Sequence, residues 1–251
     1  MLNYTTFGAA GAARPVLIAH GLFGSGRNWG VIAKRLSDRG EVNAVDMRNH
    51  AHSFWADSHS YEDLANDLAQ VIEKAGAPAD VLGHSMGGKA AMVLAATRPE
   101  LVNKLVVADI APVAYAHSQM GPIEAMRKVD FSSVERRSDV LEQMTGLEAG
   151  LPDFLAQSVD VAGKKWRLNL DILTAEMAKI IGFPEVQGSF DGDTLFLSGA
   201  NSDYVTRDHR PIIKPLFPNA KFAKIPGAGH WLHAEKPRAF EANVRAFLDR
   251  A

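Results

Sequence analysis

The pentapeptide Gly83-His84-Ser85-Met86-Gly87, of the pattern G-x-S-x-G, constrains the fold of this chain more than any other segment. The apolar run at 79–82 precedes it and predicts a buried strand, whereas the helix-forming residues 88–96 follow it. In such a turn Ser85 would adopt a sparsely allowed backbone conformation, and side chains at Gly83 and Gly87 would collide with the crossing elements. The pattern therefore predicts a candidate nucleophile at the carboxyl end of a strand. A glycine-rich turn with a buried serine remains the alternative.

Apolar runs alternate with helical segments on both sides of this turn. Buried strands are predicted at 16–20, 42–46, 104–109, 194–198 and 221–225, with a short edge strand within 1–8. Amphipathic helices are predicted at 28–39, 61–75, 206–217 and 237–250. This alternation indicates an α/β fold with a mostly parallel, doubly wound sheet.

The alternation stops between about 111 and 189, where no strong strand pattern occurs. Helical segments are predicted there at 119–129, 132–145, 147–158 and 171–182, and residues 164–170 could be extended. We expect a core of residues 1–111 and 190–251 with a helical cap inserted at 112–189. Two ordinary crossovers around a lost strand would be the alternative.

The amino-acid composition excludes several classes of function. The net charge of −2 offers no basic excess for nucleic acid, and the absence of cysteine excludes disulfides and thiolate chemistry. No signal peptide pattern and no apolar stretch of membrane-spanning length is read, so a cytoplasmic protein without membrane insertion is expected. A monomer or a homodimer would suit these features.

Two further reactive side chains follow predicted parallel strands, where open α/β sheets place their sites. Asp109 ends one strand, and His230 lies in the loop after the last strand. A serine hydroxyl needs an imidazole to take its proton, and a carboxylate must hold that imidazole in one tautomer. We expect Ser85, His230 and Asp109 to act together, and His233 and Asp203 are the alternative base and acid. Ser202 is predicted to be an additional hydrogen-bonding partner of His230.

Other candidate contacts surround these groups. The backbone N–H groups of Leu22 and Met86 are predicted to bind an oxyanion. Cationic and polar groups near a pocket mouth would suit an acidic acyl substrate, although a solvated loop and an ordinary helical lysine explain them equally well. The candidate substrate contacts are Phe23, Arg48, Asn49, Lys89 and Trp231. Among the remaining histidines, His20 is expected to brace a loop and His59 to be exposed.

Several of these motifs together resemble the α/β-hydrolase esterases of the YbfF type, which have eukaryotic relatives. The resemblance runs from about residue 15 to the C-terminus and rests on His20-Gly21-Leu22-Phe23-Gly24-Ser25, Asp46-Met47-Arg48-Asn49-His50, Gly83-His84-Ser85-Met86-Gly87-Gly88-Lys89, Asp109-Ile110-Ala111-Pro112, Gly199-Ala200-Asn201-Ser202 and the segment 227–237. It implies an esterase with a small helical cap. It also implies that Asp109 is the acid and that Ser202 assists. One departure is Ala51, where the family has glycine, and this alanine would be strained if the position needs a positive φ.

The sequence thus predicts a serine esterase that forms an acyl-enzyme on Ser85 and needs neither a metal nor an organic cofactor. Its expected partner is a small acyl ester or an acyl-CoA thioester. Other serine-based chemistry on the same fold, such as C–C bond hydrolysis, is the first alternative. A non-catalytic binding protein is the second.

Overall fold

The computed structural model describes residues 1–11, 13–76 and 78–250; Ala12, Ala77 and Ala251, all within the predicted core, lie outside the described residues. Across the described residues, seven strands form one sheet with the order β1-β3-β2-β4-β5-β6-β7. The strands are β1 (Tyr4–Phe7), β2 (Val16–Ala19), β3 (Val42–Val45), β4 (Ala79–His84), β5 (Val102–Ala108), β6 (Asp193–Gly199) and β7 (Ala220–Ile225). Only the pairing of the edge strand β1 with β3 is antiparallel, so the predicted mostly parallel sheet is confirmed.

Helices connect the strands and cover the sheet. They are α1 (Gly30–Leu36), α2 (Tyr61–Ala75), α3 (Met86–Thr97), α4 (Met120–Arg127), α5 (Arg137–Gln143), α6 (Leu151–Ala156), α7 (Leu170–Ala175), α8 (Met177–Ile181), α9 (Arg210–Leu216), α10 (Leu232–Glu235) and α11 (Pro237–Leu248). None of the helices in the described part of the chain combines the length and the apolarity that crossing a membrane would require.

Both faces of the sheet are buried, which explains why its central strands read as continuous apolar runs. Along β2, Leu17 belongs to the apolar cluster that includes α2 and α3, whereas its neighbour Ile18 packs with residues of α1 and α11. Successive strand residues point to opposite faces, so each face receives every second side chain. The doubly wound architecture follows from this alternate burial.

The segment between β5 and β6 adds no strand to the large sheet among the described residues. It consists of α4 to α8, one short 3₁₀ turn and a small hairpin that pairs Val159–Asp160 with Lys165–Trp166. Its apolar side chains, including Ile123, Leu155 and Trp166, form a separate cluster. The division into a core and an inserted cap, with its boundaries of 112–189, stays a prediction.

The helices of this segment are shorter than the sequence pattern suggests. In place of one helix at 132–145, a 3₁₀ turn at Phe131–Ser133 precedes α5. The Asp130 carboxylate accepts a hydrogen bond from the Ser132 N–H, and Asp139 accepts the N–H groups of residues 135 and 136. These side chains offer the backbone a local alternative to a continuous helix, which is why periodicity overestimates its length.

Candidate active site

Ser85 lies in a sharp turn between β4 and α3, as the pattern predicts. Its backbone has φ 51° and ψ −119°, a conformation that is costly for a residue with a side chain. A Cβ atom on Gly83 would lie 2.3 Å from the Gly87 carbonyl oxygen, and one on Gly87 would lie 2.4 Å from the Ala19 carbonyl oxygen. Both contacts are far too short, which confirms that glycine is required on each side of the serine.

His230 lies between Ser85 and Asp109. Its Nε2 is 3.2 Å from the Ser85 Oγ, and its Nδ1 is 2.8 Å from the Asp109 Oδ2. Asp109 follows β5 and is completely buried, with a left-handed φ of 52°. This geometry suits an imidazole that donates from Nδ1 to the carboxylate and accepts the serine proton at Nε2.

The alternative base and acid lie elsewhere. His233 is buried, and its ring stacks on Trp29 with the centroids 4.0 Å apart. Asp203 is exposed, and its carboxylate forms no hydrogen bond with His230 within the described chain. The structure thus brings Ser85 and His230 together with Asp109 rather than with Asp203.

The hydroxyl of Ser202 contacts Asp109 and not the imidazole of His230, which corrects the predicted pairing with His230. Its hydroxyl donates a hydrogen bond to the Asp109 Oδ2 at 2.5 Å. The second oxygen of Asp109 accepts the Gly199 N–H at 3.1 Å. The reason is the strand register, because β5 and β6 are neighbours and the turn after β6 passes directly over the end of β5. The buried carboxylate therefore has three hydrogen-bond donors.

The backbone N–H groups of Leu22 and Met86 face no acceptor within the described residues. The loop that carries Leu22 is held from both sides. The Phe23 N–H donates to the Nε2 of His50 at 3.1 Å, and the Gly24 N–H donates to the Gly21 carbonyl at 3.0 Å. The backbone N–H groups of Leu22 and Met86 thus remain available beside Ser85, as predicted for groups that bind an oxyanion.

Neutral histidines support this loop. The Nε2 of His20 accepts the Met47 N–H at 3.0 Å, as expected of a residue that braces the loop. Burial lowers the pKa of His50 well below its ordinary value, and the nearby His20 and His59 lower it further. Burial lowers the pKa of His59 to about 3, and the charged Arg48 adds to this. His59 is buried, so its predicted exposure is wrong. Uncharged imidazoles have a free nitrogen that can accept a backbone N–H.

A cavity of about 700 Å³ opens next to Ser85 and His230. Phe23 and Trp231, two of the predicted substrate contacts, line it from the core together with Leu22. Leu151, Phe154, Ile180 and Ile181, from α6 and α8, complete the wall. Their side chains are apolar, so the segment between β5 and β6 covers the serine with an apolar surface.

Lys89 lines the same cavity but is buried in an unusual setting. Its Nζ donates hydrogen bonds to the carbonyl oxygens of Ile181, at 2.9 Å, and Gly182, at 2.5 Å. The ammonium also lies 4.9 Å from the centroid of the Tyr115 ring. Burial lowers the pKa of Lys89 to about 7. This side chain therefore joins α3, which begins beside Ser85, to the end of α8.

Arg48 and Asn49 do not line the cavity, which corrects their predicted place at its mouth. The Arg48 guanidinium binds the Asp67 carboxylate, with Nε and Oδ2 2.6 Å apart. The Asn49 side chain is fully buried and accepts the Ala56 N–H at 2.8 Å. Both residues shape the loop after β3, because buried carboxylate and backbone partners take up their polar atoms.

The structure also reveals residues that the sequence pattern does not single out. The ring of Tyr204 stacks on the imidazole of His230, with the centroids 4.0 Å apart and the planes at 19°. His50, which the sequence suggests only as one of the polar groups near the pocket mouth, holds the loop of Leu22. No spacing rule marks either residue, because each contact joins loops that are distant along the chain.

Ala51 has a φ of 48°, so the position does adopt the left-handed conformation that favours glycine. Its N–H donates to the Arg167 carbonyl at 2.7 Å. This hydrogen bond holds the alanine in a conformation that costs about 1–2 kcal/mol for a residue with a Cβ atom. The positive φ, which is the condition for the predicted strain, is therefore observed, and the strain itself stays a prediction.

Comparison with known proteins agrees with the fold. Residues 14–237 match the family described as alpha/beta hydrolase fold. The chain is 38% identical to Esterase YbfF of Escherichia coli (strain K12), over 94% of this chain and 93% of that protein. It is also 38% identical to the sn-1-specific diacylglycerol lipase ABHD11 of Mus musculus, over 98% of this chain and 85% of that protein.

A solved structure of a marine microorganism esterase is similar throughout. It has a TM-score of 0.91 and 36% sequence identity, with 98% of each chain covered. Because the family match spans most of the chain and the similar proteins are esterases and lipases aligned almost end to end, the chain belongs to the α/β-hydrolase fold family and is a carboxylic ester hydrolase.

Proposed function

We propose that the protein hydrolyses acyl esters by nucleophilic attack of Ser85, with His230 as the general base and Asp109 as the acid that orients it. The observation that carries the proposal is the continuous set of hydrogen bonds from the Ser85 Oγ through both nitrogens of His230 to Asp109. The buried carboxylate favours one tautomer of the imidazole and stabilises the imidazolium that forms.

In the first step the Ser85 Oγ attacks the ester carbonyl carbon while its proton passes to the Nε2 of His230. The C=O electron pair moves onto the oxygen, and the N–H groups of Leu22 and Met86 stabilise that oxyanion. When the intermediate collapses, the C–O bond to the alcohol breaks, and His230 gives its proton to the departing oxygen. The products of this step are the free alcohol and an ester of Ser85.

In the second step a water molecule attacks the ester of Ser85. His230 takes a proton from the water, and the same two N–H groups hold the second oxyanion. The bond between the acyl carbon and the Ser85 Oγ then breaks, and His230 returns its proton to the serine. The carboxylic acid leaves, and the enzyme recovers its initial state.

The cavity indicates the substrate class. Its wall is mostly apolar where residues 112–189, which we propose to act as the cap, cover Ser85, and such a wall suits an acyl chain. Related proteins are named as an esterase and as an sn-1-specific diacylglycerol lipase. We therefore infer that the acyl group lies against α6 and α8. Acyl thioesters offer the same carbonyl to Ser85 and belong to the proposed range.

Labelling with a fluorophosphonate tests the mechanism. The reagent should add covalently to Ser85, and Ser85→Ala should neither be labelled nor hydrolyse p-nitrophenyl esters. Ser132→Ala, at an exposed serine outside the cavity, is the matched control and should behave as the unmodified protein. An unchanged intact mass after treatment, or residual full activity of Ser85→Ala, would contradict the proposal.

A panel of substrates tests the acyl range. Rates should be compared for p-nitrophenyl esters and acyl-CoA thioesters of increasing chain length. We expect kcat/KM to rise with the chain length until the cavity is filled, because each buried methylene contributes about 0.8 kcal/mol. A rate that does not depend on chain length would contradict binding of the acyl group in the apolar cavity.

A further inference from the structure

The ring of Tyr204 covers one face of the His230 imidazole. The two ring centroids are 4.0 Å apart, and the planes are tilted by only 19°. Tyr204 also lines the cavity and is partly buried. An aromatic ring in this position contacts the imidazole along its whole face and not only at one atom.

Several hydrogen bonds hold this ring in place. The Tyr204 N–H donates to the Ser202 Oγ at 3.3 Å, and that hydroxyl donates to Asp109. The Tyr204 carbonyl accepts the hydroxyl of Tyr115 at 2.6 Å. At the other end of the side chain, the Tyr204 hydroxyl lies 2.7 Å from the Nε2 of His117. The backbone and the hydroxyl of Tyr204 are thus both fixed.

We propose that Tyr204 is a positioning residue for the general base: its ring holds the imidazole of His230 in the plane that reaches both Ser85 and Asp109, and its π face stabilises the imidazolium. The inference rests on the proposed function, because it assigns Tyr204 a role through His230. Tyr204 itself exchanges no proton with the substrate.

Several groups contact His230, and each restricts a different motion of its imidazole. Asp109 contacts Nδ1 and Ser85 contacts Nε2, but these two hydrogen bonds leave the imidazole free to tilt about the line that joins them. Tyr204 limits this tilt by stacking. The π face of Tyr204 also attracts a cation. His230 becomes an imidazolium only while it holds the proton taken from Ser85 or from water. The stabilisation is therefore largest in the transition states and not in the substrate complex.

Other groups around the imidazole do not replace the tyrosine. His84 lies with its ring centroid 4.8 Å away, and its Nε2 contacts the His230 carbonyl oxygen, so it holds the backbone. His84, His117 and His233 all have pKa values lowered mainly by burial, and the proximity of His230 lowers each of them further. Neutral imidazoles neither repel nor strongly attract a cation. Tyr204 and Asp109 are thus the groups whose geometry favours a positive His230.

The test compares Tyr204→Phe with Tyr204→Leu. Phenylalanine keeps the ring and should retain nearly full activity. Leucine removes the π face and should lower kcat by about 3- to 30-fold with little change in KM, because the loss is confined to the imidazolium-like transition states. The rate of fluorophosphonate labelling should fall in parallel, because that reaction needs the same proton transfer but not the same substrate contacts.

Phe222→Leu is the matched control. This aromatic residue is also partly buried and stacks on another ring, that of Phe196, with the centroids 5.6 Å apart, but it lies outside the cavity. Its loss should leave kcat, KM and the labelling rate unchanged. Thermal denaturation of all three variants shows whether each is folded.

Two results would overturn the proposal. One is a Tyr204→Leu protein with unchanged kcat and labelling rate, whatever its KM. The other is a Tyr204→Phe protein as slow as Tyr204→Leu, which would assign the effect to the hydroxyl and His117. If the proposed nucleophile itself were wrong, Ser85→Ala would remain active and unmodified protein would not be labelled, so the two failures are distinguishable.

Discussion

The hydroxyl of Ser202 donates a 2.5 Å hydrogen bond to the Asp109 Oδ2, the same oxygen that faces the Nδ1 of His230. The two residues follow adjacent strands, β5 and β6, so the register of the sheet places them together. A fully buried carboxylate needs such donors, because an isolated charge would be costly there. The loop after β6 thus supplies a donor to the acid and leaves its own aspartate, Asp203, in solvent.

The first prediction concerns the acid. Asp109→Asn should lower kcat by about 10²- to 10⁴-fold, because the amide can hold His230 in the wrong tautomer. Asp203→Asn, the matched control at an exposed position, should change kcat by less than about threefold. Steady-state kinetics with a p-nitrophenyl ester checks both. A larger loss of kcat in Asp203→Asn than in Asp109→Asn would indicate that Asp203, in the loop after β6, orients His230 instead.

The second prediction concerns Ser202. Ser202→Ala removes one of the three donors to Asp109 and should lower kcat by about 10- to 100-fold, since hydrogen bonds to charged groups contribute about 1.5–3 kcal/mol. KM should stay close to that of the unmodified enzyme, because Ser202 does not line the cavity. If the Ser202→Ala enzyme kept its full kcat, the hydrogen bond from Ser202 to Asp109 would not contribute to catalysis.

The third prediction concerns the loop that carries Leu22. His50→Leu leaves the Phe23 N–H without an acceptor, and this buried group costs about 1–3 kcal/mol when unsatisfied. We expect kcat to fall by about 10-fold, because the Leu22 N–H is then less well oriented toward the oxyanion.

His50→Gln offers an oxygen acceptor in a side chain of similar length and should recover part of kcat. Comparing its kcat with that of His50→Leu distinguishes the effect of the lost hydrogen bond from the effect of the lost ring packing. Equal kcat values for His50→Leu and the unmodified enzyme would show that this hydrogen bond does not position the loop.

The fourth prediction concerns stability. Ala51→Gly should raise the free energy of unfolding by about 0.5–1 kcal/mol, because relief of the left-handed strain exceeds the greater freedom of glycine in the unfolded chain. Urea denaturation measures the change. Ala242→Gly is the control, since this exposed alanine lies inside α11 and its replacement should lower stability by about 0.5–1 kcal/mol. A loss of stability in Ala51→Gly would contradict the strain.

The fifth prediction concerns pH. The pKa of Lys89 is lowered by burial to about 7, whereas its ordinary value is 10.5. Between these values the unfolded chain binds more protons than the folded one, so the contribution of Lys89 to stability rises with pH. At pH 7 and below, the buried ammonium carries its full desolvation cost.

Lys89→Met removes this titration and keeps the apolar stem. The difference in unfolding free energy, unmodified protein minus Lys89→Met, should increase from pH 7 to pH 10 and be nearly constant below pH 7. Urea denaturation at several pH values measures it. A difference that stays flat across pH 7 to 10 would contradict the lowered pKa.

Much of the fold could be predicted because it follows from local patterns. The apolar runs of β2, β4 and β5 alternate with helices such as α2, whose predicted bounds are reproduced at Tyr61–Ala75. The turn at Ser85 was equally accessible, since its geometry depends on the two adjacent glycines. The helices between β5 and β6 were less accurate, because capping side chains such as Asp130 divide them into short pieces.

The sequence by itself determined the α/β-hydrolase fold, the strained turn that carries Ser85 and the loop that carries His230, since periodicity, glycine placement and chain order act over short distances. Only the tertiary structure decided that Ser202 binds Asp109, that Tyr204 stacks on His230 and that Arg48 is buried on Asp67. These contacts join residues that are distant along the chain: Ser202 and Asp109 are 93 positions apart, and Arg48 and Asp67 are 19 positions apart. Strand register and loop packing set such distances, and neither is encoded in the spacing of residues along the chain.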